Sequence, residues 1–100
     1  MFIIDQHLEN AETIRRTLHD LIELRDSIET AYEPIDGDTT PTSLLYATTL
    51  GATQAVFQLA MASAQLFKDE TASLSMLAAD DRQRVLDIYL EIFRPRHHTR

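Results

Sequence analysis

The stretch Thr39-TPTSLLYATTLGATQAVFQLAMASAQL-Phe67 contains no Asp, Glu, Lys or Arg, while both flanks are dense with charge. From Ser43 to Phe67 it reads as one long, mostly apolar helix studded with small residues: Ala47, Gly51, Ala55, Ala60 and Ala64. Leu44, Leu45, Leu50, Val56, Phe57, Leu59, Met61, Leu66 and Phe67 are spread around most of its circumference, the pattern of a buried helix. Ala47, Gly51 and Ala55 lie four apart and form a shallow ridge. A mid-helix glycine costs about 0.5–1 kcal/mol relative to alanine, so a close helix contact along that ridge is the expected compensation.

At ~1.5 Å per residue the stretch is long enough for a ~30 Å hydrocarbon core. Gln54, Gln58, Gln65, Ser63, Tyr46 and several threonines weigh against a membrane, and no one-sided cluster of basic residues flanks it. The expectation is a buried helix in a bundle, with no membrane partner.

Upstream, steps of seven from His7 reach Ile14, Leu21 and Ile28. Ala11, Leu18, Leu24 and Tyr32 fall three or four residues further along the same side, which makes an apolar stripe at helical spacing. This predicts a first helix from about Asp5 to Tyr32, with Phe2-Ile3-Ile4 as an apolar plug before it. Glu9, Glu12, Arg16, Asp20, Glu23 and Asp26 occupy the opposite face. Pro34 ends this helix, because the residue before a proline is biased away from helical geometry. Asp36-Gly37 supplies turn chemistry, and Thr40-Pro41 has the form of a cap followed by a first helical residue. Downstream, Lys68 to Ser73 reads as either a break or continued helix. Asp80-Asp-Arg-Gln83 has the form of a capping box, opening a helix with Val85, Ile88, Tyr89 and Ile92 on one face and ending before Pro95.

The predicted fold is therefore all-α. A long antiparallel helical hairpin is joined by a shorter C-terminal helix in a small bundle of three or four helices. Residues 1–93 form the domain, and residues 94–100 form a basic, disordered tail. Helix two, if continuous, is ~37 Å long, whereas a compact sphere of this chain length is ~33 Å across. The third helix is too short to cover it, so the sequence anticipates completion by a homodimer. Ile14, Leu21, Ile28, Ala47, Gly51, Ala55, Val56, Phe57 and Leu59 are the interface candidates.

The charge of −7 is uneven. Residues 1–93 hold all 16 acids against six of the nine bases, and the tail returns +3. An acidic body repels phosphate backbones, so direct nucleic-acid binding is not expected. With no cysteine, disulfides, thiolate metal sites and Cys nucleophiles are excluded, and a cytoplasmic setting is favoured. The residue three before each histidine is Ile4, Arg16, Arg94 or Pro95, so the Glu-x-x-His pairs of di-metal bundles are absent. No nucleophile elbow or phosphate loop is present. Three acids in the turn (Glu33, Asp36 and Asp38) lack the ligand spacing of a calcium loop. His19 with Glu23 is the nearest approach to a metal pair. The expectation is no catalytic, metal or cofactor site.

What remains is an acidic protein-interaction module: an adaptor, a chaperone-like factor or an inhibitor. One alternative is a nucleic-acid mimic using Asp5, Glu9, Glu12, Glu23, Asp26 and Glu29. A weaker one is a bundle hydrolase using Glu9 and Glu12 with Asp87 and Glu91.

Overall fold

The computed structural model describes residues 2–31, 40–73 and 79–94. They form three helices: α1 (Phe2–Ala31), α2 (Pro41–Thr71) and α3 (Ala79–Phe93), with no strand among the described residues. The acidic turn, residues 74–78 and the tail beyond Arg94 lie outside the described residues.

Local sequence sets several of the ends. Thr40 is extended at φ −64°, ψ 157° and its hydroxyl accepts from the Ser43 amide, with Pro41 opening α2. The 3.2 Å cap satisfies an amide that the helix cannot pair for itself. α2 then runs on through Thr71, so Lys68 to Thr71 is continued helix. α1 starts at Phe2, which corrects the expected plug: Ile4 sits inside the helix and only 2% exposed. α3 starts at Ala79, one residue before the expected cap. Asp80 and Asp81 therefore occupy its first turn, where they complement the helix dipole. Gln83 donates to Asp87 at 2.8 Å rather than reaching back to close a capping box.

At 30 and 31 residues, α1 and α2 are each ~45 Å long. The molecule measures 54 × 28 × 16 Å with a radius of gyration of 17.1 Å, against ~13 Å for a compact chain of this size. α3, with 15 residues, is half their length. It runs antiparallel to α2, tied at three levels. Arg82 Nε donates to Thr71 Oγ1 at 2.9 Å, the Tyr89 and Ser63 hydroxyls meet at 2.6 Å, and the Phe93 and Phe57 rings lie 6.4 Å apart. Among the described residues, α1 and α2 continue beyond Phe57 as a two-helix hairpin without α3.

The core follows that division. Its cluster comprises Ile4, Ala11, Ile14, Leu18 and Ile22 from α1, Ala60, Ala64 and Phe67 from α2, and Val85, Ile88, Tyr89 and Ile92 from α3. Ile28, Thr49 and Thr53 are buried further along the hairpin, outside the cluster. The α1 stripe was expected to pass through Leu21 and Leu24. Ile22 is buried instead, Leu21 is half-buried and Leu24 is 44% exposed. From the buried Leu18, the step of four to Ile22 turns ~40° about the helix and the step of three to Leu21 ~60° the other way, so Ile22 lies nearer the buried side.

The larger correction concerns α2. Its buried residues are Thr49, Thr53, Ala60, Ala64, Phe67 and Thr71. Leu44, Leu45, Leu59, Met61 and Leu66 are about half exposed or more. The small side goes inward because α1 and α3 bring the bulk. The buried hydroxyls are affordable because each closes on its own helix: Thr49, Thr53 and Thr71 donate to the carbonyls of Leu45, Thr49 and Phe67 at 2.7–2.8 Å.

Candidate interaction surface

The residues left outside on α2 are not scattered. Leu44, Thr48, Gly51, Ala55, Leu59, Ala62 and Leu66 are all exposed and recur at three- and four-residue steps. That spacing lines one side of a helix, opposite the buried Thr49–Ala60–Phe67 side. The line spans ~33 Å and carries no charge, as does the whole helix from Pro41 to Phe67. Exposure reaches 58% at Leu44, 55% at Leu59 and 52% at Leu66. Scattered single leucines on a surface need no explanation; here Leu44, Leu59 and Leu66 share one uncharged side with small residues between them.

The nine interface candidates separate here. Ala47, Gly51, Ala55 and Leu59 are exposed on α2, Val56 and Phe57 are half-buried against the core, and Leu21 is half-buried. Ile14 and Ile28 are buried within the chain. The ridge makes no close contact inside the protomer: a Cβ built on Gly51 meets nothing within 4 Å. Sequence reasoning missed the inward side because it ranked residues by hydrophobicity. The signal was present in Thr49, Thr53, Ala60, Ala64, Phe67 and Thr71, which follow one another at steps of three, four or seven residues.

The charged groups are elsewhere, and most are engaged. Arg15 donates to Glu12 on its own helix and to Glu91 on α3, the latter at 3.4 Å. The hydrogen bond to Glu12, above all, holds the Arg15 guanidinium above its usual value; burial opposes this, and the charges of Glu12 and Glu91 add to it. This cation joins one acid from each of the two pairs that a bundle hydrolase would use. It lines a crevice of about 230 Å³ together with Arg16, Leu18, His19, Glu91 and Ile92. Among the acids a mimic would display, Glu12 is paired with Arg15, Glu23 lies 3.6 Å from His19, Asp26 contacts Arg25 and Glu29 accepts from Tyr46. An interrupted field of this kind imitates a phosphate backbone poorly.

His19, Asp20 and Glu23 hold possible ligand atoms within 4.8 Å of one another, but all three are exposed and nothing else orients them. They read as a surface charge pair with an acidic neighbour. His7 is buried, 4% exposed, with Nε2 3.4 Å from Glu70 and its ring edge-on to Phe67 at 5.1 Å. Its place is in the α1–α2 core.

Tyr46 fastens the open half of the hairpin by donating to Glu29 across α1 and α2. That bond foremost holds its phenol above the ordinary value of 10.0, with desolvation and the Glu29 charge acting the same way and Arg25 opposing. The folded protein therefore keeps this proton where an unfolded chain has lost it. The stabilising contribution is complete below pH 10 and fades as pH rises through the folded value. In an ultraviolet phenolate titration Tyr46 is expected to ionise above the ordinary tyrosine value, and Tyr46→Phe should remove that late step. A titration unchanged by the substitution would contradict the contact.

No helix among the described residues is long and apolar enough to cross a membrane. No family model, curated protein or solved structure matches the chain.

Proposed function

We propose that this protein acts by protein–protein contact, as a helical adaptor, chaperone-like factor or inhibitor, and that the exposed uncharged side of α2 is its docking surface. One observation carries the reading. Five of the eight large hydrophobic residues exposed among the described residues belong to this one helix, which bears no charge from Pro41 to Phe67.

A helix apolar all round is normally buried all round. Here α1 and α3 cover only one side of α2. Burial is worth ~25 cal/mol per Å² of apolar surface, so a partner laid along Leu44, Leu59 and Leu66 gains several kcal/mol without rearranging the core. The acids lie on other faces, where they keep the free protein soluble.

The test places a photo-crosslinking amino acid at position 59, and in a control at position 23 on the acidic face of α1, in cells that produce the protein. Position 59 should give a discrete protein adduct that Leu66→Asp abolishes while circular dichroism stays helical. Adducts from position 23 alone, weakening as salt rises, would transfer the function to the acidic face.

A further inference from the structure

We propose that the occupant of this surface is a second copy of the same chain, with the two α2 helices packed antiparallel about a two-fold axis at Ala55. The proposal rests on the docking reading above and names its partner.

The exposed line is symmetric about Ala55. Leu44 and Leu66 stand eleven residues either side of it, Thr48 and Ala62 seven, and Gly51 and Leu59 four. In a two-fold antiparallel pair, each residue meets the one at the mirrored position of the other copy. Leu44 then faces Leu66 of the second copy, Thr48 faces Ala62, and Ala55 faces itself. Gly51 faces Leu59. The open space at Gly51, where a Cβ would meet nothing within 4 Å, is a hole opposite a half-exposed leucine. Small residues at the centre allow the axes to approach to ~8 Å, and leucines close the ends. A parallel pair would instead set Gly51 against Gly51, leaving a void, and Leu59 against Leu59.

Charge restricts where two copies can meet. Two bodies of net charge −7 repel, and the side of α2 between Leu44 and Leu66 is where they can meet without apposing acids. The antiparallel register also brings Asp69 of each copy level with Pro41 of the other. The first turn of α2 contains no acid of its own, and an anion near a helix N-terminus is favourable. The line's footprint, ~33 Å long and ~10 Å wide, is about 330 Å² on each copy, below the ~800 Å² per partner of a standard interface, so a weak, reversible dimer is expected. In that dimer the uncharged part of α2, from Pro41 to Phe67, is covered on both sides.

The chain has no cysteine of its own, so introduced thiols report the geometry. Light scattering should show twice the chain mass at about 100 μM and dissociation on dilution towards about 1 μM. On mild oxidation Ala55→Cys should form a covalent dimer. Leu44→Cys alone should not, because its two copies would be ~33 Å apart, whereas the Leu44→Cys/Leu66→Cys double variant should. Ala55→Glu sets two carboxylates together on the axis and should raise the dissociation constant at least ~10-fold. Position 55 is exposed, so helical circular dichroism should not change. Monomer mass throughout with Ala55→Cys uncrosslinked, preferential crosslinking of Leu44→Cys, or an Ala55→Glu protein that stays dimeric would each overturn the proposal. A monomer that still forms an adduct with a different protein through position 59 overturns the second copy alone. A monomer with no adduct overturns the docking reading as well.

Discussion

Truncating Phe67 to alanine is expected to cost about 3–5 kcal/mol, the range for removing a fully buried aromatic ring. Phe67 is 0% exposed and stands where all three helices meet. It belongs to α2, its ring contacts the edge of His7 from α1 at 5.1 Å, and it lies 6.5 Å from Tyr89 of α3. The void would open between three rigid helices, none of which can close it without losing contact elsewhere. A chain of this size holds only ~5–15 kcal/mol in total, and its elongated shape points to the lower part of that range. Urea unfolding followed by circular dichroism should therefore show a large fall in midpoint at nearly constant slope. A loss below ~1 kcal/mol would mean that Phe67 is not the keystone described here.

The second large effect comes from adding atoms. Ala60→Leu is expected to destabilise the protein by about 1–3 kcal/mol or more, the cost of overpacking a filled core. Ala60 is 0% exposed within the core cluster. Ala47→Leu makes the same change on the same helix at an exposed position and should alter stability by no more than ~0.5 kcal/mol. The pair isolates orientation, since helix propensity and added hydrophobicity are common to both. If Ala47→Leu were the damaging change, the inward and outward sides of α2 would be reversed. Both measurements should be made at protein concentrations well below the expected dimer dissociation, so that they report the protomer.

Particular residues show why the outward side was harder to read than the helix itself. Thr40-Pro41 announces the start of α2, because a hydroxyl acceptor followed by a residue with no amide proton is a local device that needs no distant partner. The mismatch between a ~45 Å hairpin and a 15-residue third helix is likewise countable along the chain. Leu59 and Ala60 are a different matter. By hydrophobicity Leu59 belongs in the core, and by the same measure Thr49 and Thr53 do not. The outcome reverses this because α1 already brings Ile14, Leu18 and Ile22 to the core beside Ala60. Two bulky sides would hold the axes too far apart, whereas small residues with self-satisfied hydroxyls let them close. Ile22 takes the buried place expected for Leu21 because the step of four from Leu18 turns less about the helix than the step of three.

The sites divide in the same way. The absence of cysteine and of Glu-x-x-His pairs was legible directly, since those chemistries need particular residues at particular spacings. That Arg15 would join Glu12 to Glu91 depends on α3 returning along α1, which no local pattern encodes.

The amino-acid sequence alone therefore determined that the chain is helical, where its long helix begins, that the third helix is too short to cover the hairpin, and that the longest helix is free of charge as far as Phe67. Those are properties of near neighbours and of length. Which side of α2 faces inward was decided only in the tertiary structure, because it depends on the volume that α1 and α3 bring to a shared space. That choice left the Ala47–Gly51–Ala55 ridge, where the sequence placed a close helix contact, exposed on the outer side of α2.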